Sequence, residues 1–199
     1  MVGIFDYGVG NLFSLRSSFA AIGVEAFVSG DAGELAKADR LILPGVGAFG
    51  DAAEKLRATG LDAFVREQAA AGKPLMGICL GMQLLFERSF EYGEHFGLGL
   101  LKGQVVGMSG RLPEGLKIPH MGWNALKLTK AAKLLEEGSY VYFVHSFYAE
   151  NCEDSIAAVT DYGIPITAAV EKGNIFGCQF HPEKSGNVGL AILKKFCEV

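Results

Sequence analysis

The stretch Pro74 to Phe86, PLMGICLGMQLLF, restricts this chain more than any other. A short apolar run breaks at Gly77-Ile78-Cys79-Leu80-Gly81 and resumes with helix-forming residues. The pattern predicts a strand, a sharp turn and a helix, with a cysteine at the apex of the turn. The spacing is that of the G-x-S-x-G nucleophile elbow with sulfur in place of oxygen. Such a turn is strained, and a side chain at either flanking glycine would crowd the neighbouring strand or the helix start. The elbow would lift Cys79 above the end of a sheet. It would also set the thiol near a helix N-terminus, whose partial positive charge favours the thiolate. Alone, Cys79 also fits a buried core cysteine, since free Cys is among the most buried residue types. A base elsewhere in the chain has to decide between the two.

The surrounding pattern sets the fold class. Val2 to Phe5, Val24 to Val28, Arg40 to Leu43 and the run before Cys79 read as strands. Helices are predicted between them near 12–22, 49–58 and 61–71, where apolar residues recur at helical spacing. Alternating strands and helices point to an α/β fold with a doubly wound, mostly parallel sheet of the flavodoxin-like kind. From Leu100 onward short strands follow one another, which adds antiparallel strands to the sheet. One short helix is expected near 131–136 and an amphipathic one over 184–197, while 88–99 reads as a Gly-rich, charged loop. No linker or repeat divides the chain, so 1–199 is read as a single domain. Gly8-x-Gly10 after the first strand fails as a dinucleotide fingerprint, because Phe13 stands where its third glycine would be.

In such sheets ligands bind beyond the C-terminal ends of the strands. Asp6, Pro44–Gly47 and Cys79 all fall at predicted strand ends and should share one edge. His181 joins them, just after the apolar run Ile175 to Gln179. Glu183 is two residues on and shares a face with His181 in extended backbone, which Pro182 favours. A carboxylate beside a histidine fixes its tautomer and stabilises the imidazolium. A surface turn before the last helix would explain His181 and Glu183 taken alone. Together with Cys79 on the same edge they make a Cys79-His181-Glu183 triad, whose chemistry is acyl transfer through a thioester. The Leu80 N–H would serve as one oxyanion donor, with Val46 or Gly47 as a second. His95 is expected in a solvated loop. His145 closes an apolar run, at the edge of a core or of a site. His120 sits in a Gly/Pro-flanked segment with Trp123, the only tryptophan, which is either a core residue or an exposed anchor for a partner.

Composition narrows the classes further. Half of the 199 residues are hydrophobic and a fifth are charged, with a net charge of −4. No basic tract suggests nucleic acid or an anionic membrane. The N-terminus lacks the features of a signal peptide and no apolar run could span a bilayer. Cys79, Cys152, Cys178 and Cys197 are scattered, which reads as reduced thiols in the cytoplasm. No cluster has metal-binding spacing, and neither a metal nor another cofactor is expected. The residues alone thus point to a cysteine hydrolase or acyltransferase.

GICLGMQLLFE, PGVGAFGDA, FHPEKS and the opening DYGVGNL together resemble the class I, triad-type glutamine amidotransferases, across the whole chain. PHMGWN, YFVHSFY and Met82 are similar to those members that supply a separate cyclase subunit, a (β/α)₈ barrel, in histidine biosynthesis. The resemblance implies that Cys79 attacks the side-chain amide of glutamine, with His181 as base and Glu183 orienting it. It implies oxyanion N–H groups at Val46 and Leu80, the Val46 peptide turning first, a motion Gly47 makes easy. It implies glutamine contacts at Gln83 and Glu91, the latter pairing with the α-ammonium, and along His145, Ser146 and Phe147 for the α-carboxylate. Asn11, His120 and Trp123 would lie in segments of a face that docks on the cyclase. Glutaminase activity would then stay low until that partner binds its own ligand.

Overall fold

The computed structural model describes residues 1–199. Its first half alternates β1 (Val2–Phe5), α1 (Leu12–Ala21), β2 (Ala26–Ser29), α2 (Ala32–Leu35), β3 (Arg40–Leu43), α3 (Phe49–Ala58), α4 (Leu61–Ala70), β4 (Leu75–Ile78) and α5 (Leu80–Leu84). The second half is mostly strands: β5 (Arg88–Ser89), β6 (His95–Phe96), β7 (Gln104–Gly107), β8 (His120–Ala125), β9 (Lys127–Leu128), β10 (Tyr140–His145), β11 (Phe147–Glu150), β12 (Ile156–Asp161), β13 (Pro165–Lys172) and β14 (Ile175–Cys178). A single 3₁₀ turn, Pro182–Lys184, leads into α6 (Gly186–Phe196).

The main sheet has eight strands in the order β2-β1-β3-β4-β14-β13-β12-β9. From β2 to β14 every pair is parallel, and from β14 outward every pair is antiparallel. The α/β fold with a mostly parallel sheet and added antiparallel strands is therefore present. One apolar cluster packs α3, α4 and α5 on one face of the sheet, and a second packs α1 and α6 on the other. The inner strands read as continuous apolar runs because both of their faces are covered.

Two local expectations are corrected, and the later strands divide among three sheets. The 88–99 segment is not simply a loop: β5 and β6 pair with each other, and β5 pairs with β7. Not all late strands join the main sheet, because β8 and β10 form a two-stranded ribbon and β11-β7-β5-β6 a separate four-stranded sheet. No helix forms at 131–136. There the Lys133 N–H donates to Glu171 Oε2 at 3.0 Å, and Leu134 and Leu135 are both buried. A tertiary acceptor and two adjacent anchors displace the helical ladder that local propensity favours. The four-residue α2 had no sequence signal strong enough to predict it, although Asp31 caps it by accepting from the Glu34 N–H.

The turn around Cys79 is held by close approach. A methyl group added at Gly81 would collide with the Leu43 carbonyl oxygen, and one at Gly77 would lie 2.6 Å from the Met82 Cα. The helix start therefore presses on the end of β3, and only hydrogen fits. Gly173 is the contrast: its φ of +63° is left-handed, but no atom lies within 4 Å of the added carbon. We expect Gly81→Ala to lose roughly 3 kcal/mol or more of unfolding free energy, and Gly173→Ala about 1 kcal/mol, in urea denaturation followed by circular dichroism. Equal small losses would mean that the elbow tolerates a Cβ.

Candidate active site

The sheet register explains how residues about a hundred positions apart meet. β4 lies between β3 and β14, with Ile78 paired to Cys178 and Leu43 to Gly77. The Pro44–Gly47 loop, Cys79 and the 179–181 segment therefore leave the sheet side by side at its C-terminal edge. Cys79 has φ +53° and ψ −111°, a conformation that costs a non-glycine residue about 1–3 kcal/mol and persists only where its surroundings over-determine it. Its N–H donates to the Cys178 carbonyl at 2.7 Å and its carbonyl accepts from the Gln83 N–H at 3.1 Å.

Cys79 is 8% exposed and opens onto a cavity of about 410 Å³. His181 and Glu183 are buried beside it, with His181 Nδ1 2.8 Å from Glu183 Oε1. That contact leaves the other ring nitrogen for the thiol. Burial acts to lower the His181 imidazole, but the hydrogen bonds with Cys79 and Glu183 outweigh it and raise it to about 9. A proton held to that pH keeps the ring an imidazolium at neutrality, facing the sulfur.

The cavity wall carries the remaining expected residues. Val46, Gly47, Leu80, Gln83, Glu91 and the run His145 to Phe147 all line it. Glu91 is buried, and its Oε2 accepts the Phe49 N–H at 2.7 Å at the start of α3. Burial raises its carboxyl, and the Phe49 bond opposes this. Gln83 Nε2 donates to the Phe147 carbonyl at 3.1 Å and to Gln179 Oε1 at 2.9 Å, so only its Oε1 remains to meet a ligand.

The partner-face residues separate. Trp123 is exposed and Asn11 half-buried, whereas His120 is fully buried and turned inward to His145. His120 is thus no surface contact itself, although its neighbour Met121 is exposed. His95 is half-buried against Gly50 and not freely solvated.

Sequence reasoning missed three residues at the site. Gln179 Nε2 lies 3.6 Å from Cys79 Sγ and can donate to a thiolate there. Its position two residues before His181, on the same face of an extended segment, was the available signal. The buried Tyr7 hydroxyl donates to the Pro44 carbonyl at 2.6 Å and so holds the base of the Val46 loop. Lys184 lines the cavity and lies 6.0 Å from the Tyr142 ring centre. No group of three or more His, Cys, Asp or Glu side chains is placed to hold a metal ion, and no helix is long and apolar enough to cross a membrane.

The glutamine amidotransferase class-I family matches residues 4–199. The chain belongs to that family. It is 52% identical to the imidazole glycerol phosphate synthase subunit HisH of Wolinella succinogenes, over the full length of both chains. It is 48% identical to the subunit of the same name from Bacillus subtilis, covering 100% of this chain and 96% of that one. A crystal structure of a glutamine amidotransferase superposes with a TM-score of 0.78 at 21% identity, covering 99% of this chain and 97% of that one. PurLQS from Thermotoga maritima does so with a TM-score of 0.77 at 22% identity and the same coverage. These two likenesses concern the fold.

The raised His181 value gives a signed expectation. Below about 9 the imidazolium is present. Its contribution to stability is complete below the ordinary value of 6.5 and fades as pH rises through about 9. In an NMR titration, Cys79→Ala and Glu183→Gln should each move the His181 midpoint downward, because each removes a raising partner and leaves the burial. An unmoved midpoint in both variants would show that neither group contacts the ring.

Proposed function

We propose that this chain is the glutaminase subunit of an imidazole glycerol phosphate synthase. It would hydrolyse glutamine to glutamate and ammonia and pass the ammonia to a cyclase subunit. The observation that carries this reading is the buried Cys79, His181 and Glu183 set at one cavity, in a chain about half identical to subunits of that name.

The geometry of Cys79, His181 and Glu183 supports the following steps. The Cys79 thiolate attacks the side-chain amide carbon of glutamine, and the carbonyl oxygen becomes an oxyanion. Leu80 N–H, at the start of α5, is one donor to it, and Val46 N–H becomes the second once the Pro44–Gly47 loop turns. Gly47, at φ +96° with open space around it, makes that turn cheap. His181 gives its proton to the departing nitrogen, the C–N bond breaks, and ammonia leaves a thioester on Cys79. A water then attacks the thioester carbon. His181 takes its proton and the C–S bond breaks, releasing glutamate. Glu183 keeps the imidazole oriented throughout. Glu91 would face the α-ammonium of glutamine and the 145–147 backbone its α-carboxylate.

Delivery to a partner fits the surface. Phe13, Ile118, Met121, Trp123 and Tyr140 are exposed. Trp123 packs edge-on against Tyr142 at 6.0 Å, and Tyr142 meets Lys184 of the cavity wall. Met121, Trp123 and Tyr140 share one face of the β8–β10 ribbon, and an exposed apolar patch of this kind supports an interaction site. With Asn11 and the segment around His120, it would receive a cyclase (β/α)₈ barrel that makes imidazole glycerol phosphate and the purine-pathway intermediate AICAR. The compartment is then the cytoplasm, where such biosynthesis takes place.

Ammonia release from glutamine should be weak in the chain alone and rise by orders of magnitude with the cyclase and its nucleotide ligand. Cys79→Ala and Cys79→Ser should abolish it, and Glu91→Ala should raise KM for glutamine at least tenfold, a loss of about 1.4 kcal/mol. Full activity in both Cys79 variants would refute the triad chemistry.

A further inference from the structure

A chain of hydrogen bonds, buried at its centre and open at its Asn124 end, runs behind the cavity wall, and the triad does not use it. The Phe147 carbonyl lies 2.8 Å from His145 Nδ1. His145 Nε2 lies 3.0 Å from His120 Nδ1, and His120 Nε2 lies 2.9 Å from Asn124 Oδ1. Asn124 Nδ2 ends the chain by donating to the Asp161 carbonyl at 3.1 Å. The β8–β10 register sets His120 directly opposite His145, which makes the ring-to-ring contact possible.

The hydrogens along this chain can be counted. Both ends are backbone carbonyls, which only accept. The Phe147 link needs a proton on His145 Nδ1, and the Asn124 link needs one on His120 Nε2. The ring-to-ring link needs a third. Two neutral imidazoles carry two protons in all. With neutral rings and Asn124 Oδ1 turned to His120, one link must set two acceptors face to face.

The surroundings favour one ring as the holder of the third proton. His120 is stacked between Tyr162, centroids 4.0 Å apart, and Phe143, centroids 4.8 Å apart. Two aromatic faces attract a cation between them. His145 has no such sandwich, and burial lowers its imidazole to about 3. Burial outweighs the raising effect of the Asn124 bond and lowers His120 as well, so the proton count and the aromatic sandwich, and not its burial, are what favour a charged ring.

We propose that His120 carries both ring protons as a buried imidazolium and, through neutral His145, holds the Phe147 carbonyl in place on the glutamine pocket. The His120–His145 pair is then a positioning pair. Phe147 O receives a second bond from Gln83, so its position is fixed from two sides. The glutamine part of this inference rests on the function proposed above, whereas the proton count does not.

The other titratable groups nearby are accounted for. The Tyr162 hydroxyl donates to the Lys117 carbonyl, and the Asp161 carboxylate accepts from the Gly163 N–H. His181 with Glu183 lies on the adjoining segment, and Cys79, Glu91 and Lys184 border the same cavity.

Nitrogen-15 NMR of the histidine rings in the full chain tests the count directly. At neutral pH the His120–His145 pair should show three protonated ring nitrogens, two of them on His120. Only two protonated nitrogens in the pair would overturn the proposal and mean that the Asn124 amide is reversed, with Oδ1 against the Asp161 carbonyl. Glutamine binding to the Cys79→Ala chain, by calorimetry, tests the positioning. Affinity should fall several-fold as pH rises through the titration of His120. That dependence should vanish in Cys79→Ala with Asn124→Leu, where two neutral rings satisfy every remaining link. His120→Phe, which preserves the stack, should weaken binding about five- to tenfold, the scale of one lost hydrogen bond. Identical pH profiles with and without the Asn124→Leu change, or unchanged affinity in His120→Phe, would remove the positioning role. Failure of glutamine to bind Cys79→Ala at any pH would instead strike the glutaminase reading, and the NMR count would still decide the proton.

Discussion

The contact between Gly81 and the Leu43 carbonyl is the constraint on which the rest depends. The elbow can form only if the first turn of α5 lies against the end of β3, closer than any side chain would allow. That approach forces Cys79 into positive φ and aims its side chain off the sheet edge. The same contact brings the Pro44–Gly47 loop beside the nucleophile, since that loop begins where β3 ends. Two glycines thus set both the strain and the neighbourhood of the thiol.

The second constraint is electrostatic. A thiolate in a mostly buried pocket would be costly without compensation. The compensation comes from β14 and the turn after it: the Gln179 amide, the His181 ring and, behind the ring, Glu183. Burial by itself would strip His181 of its proton, and it is the hydrogen bonds with Cys79 and Glu183 that reverse the sign. The histidine pair at His120 and His145 faces the same burial with no anion beside it, and relies on hydrogen-bond count and aromatic faces. The two histidine sites show how differently one interior can treat the same side chain.

Much of this was legible in the residues. The strand–helix alternation was read through residue 86 because each element carries its own periodicity, and β3 and α3 fell where the pattern put them. The triad was legible because Cys79 and His181 both close strands of a parallel sheet, whose strand ends meet at one edge. Less was legible after Leu100. Short strands there gave no hint of which sheet each would join. The 131–136 stretch misled because its helix-forming residues find acceptors and a core elsewhere.

By itself the sequence determined the parallel half of the main sheet, the elbow, and Cys79, His181 and Glu183 as the residues that would meet at its edge, because these depend on local spacing and on what each residue type can do. Only the tertiary structure decided that His120 turns inward to His145 while Trp123 stays outside, that Gln179 reaches the sulfur, and that Tyr7 holds Pro44. Each of these is a contact between elements far apart in the chain. A side chain's spacing fixes which face of its own strand it occupies, but the packing of another element on that face decides what it meets.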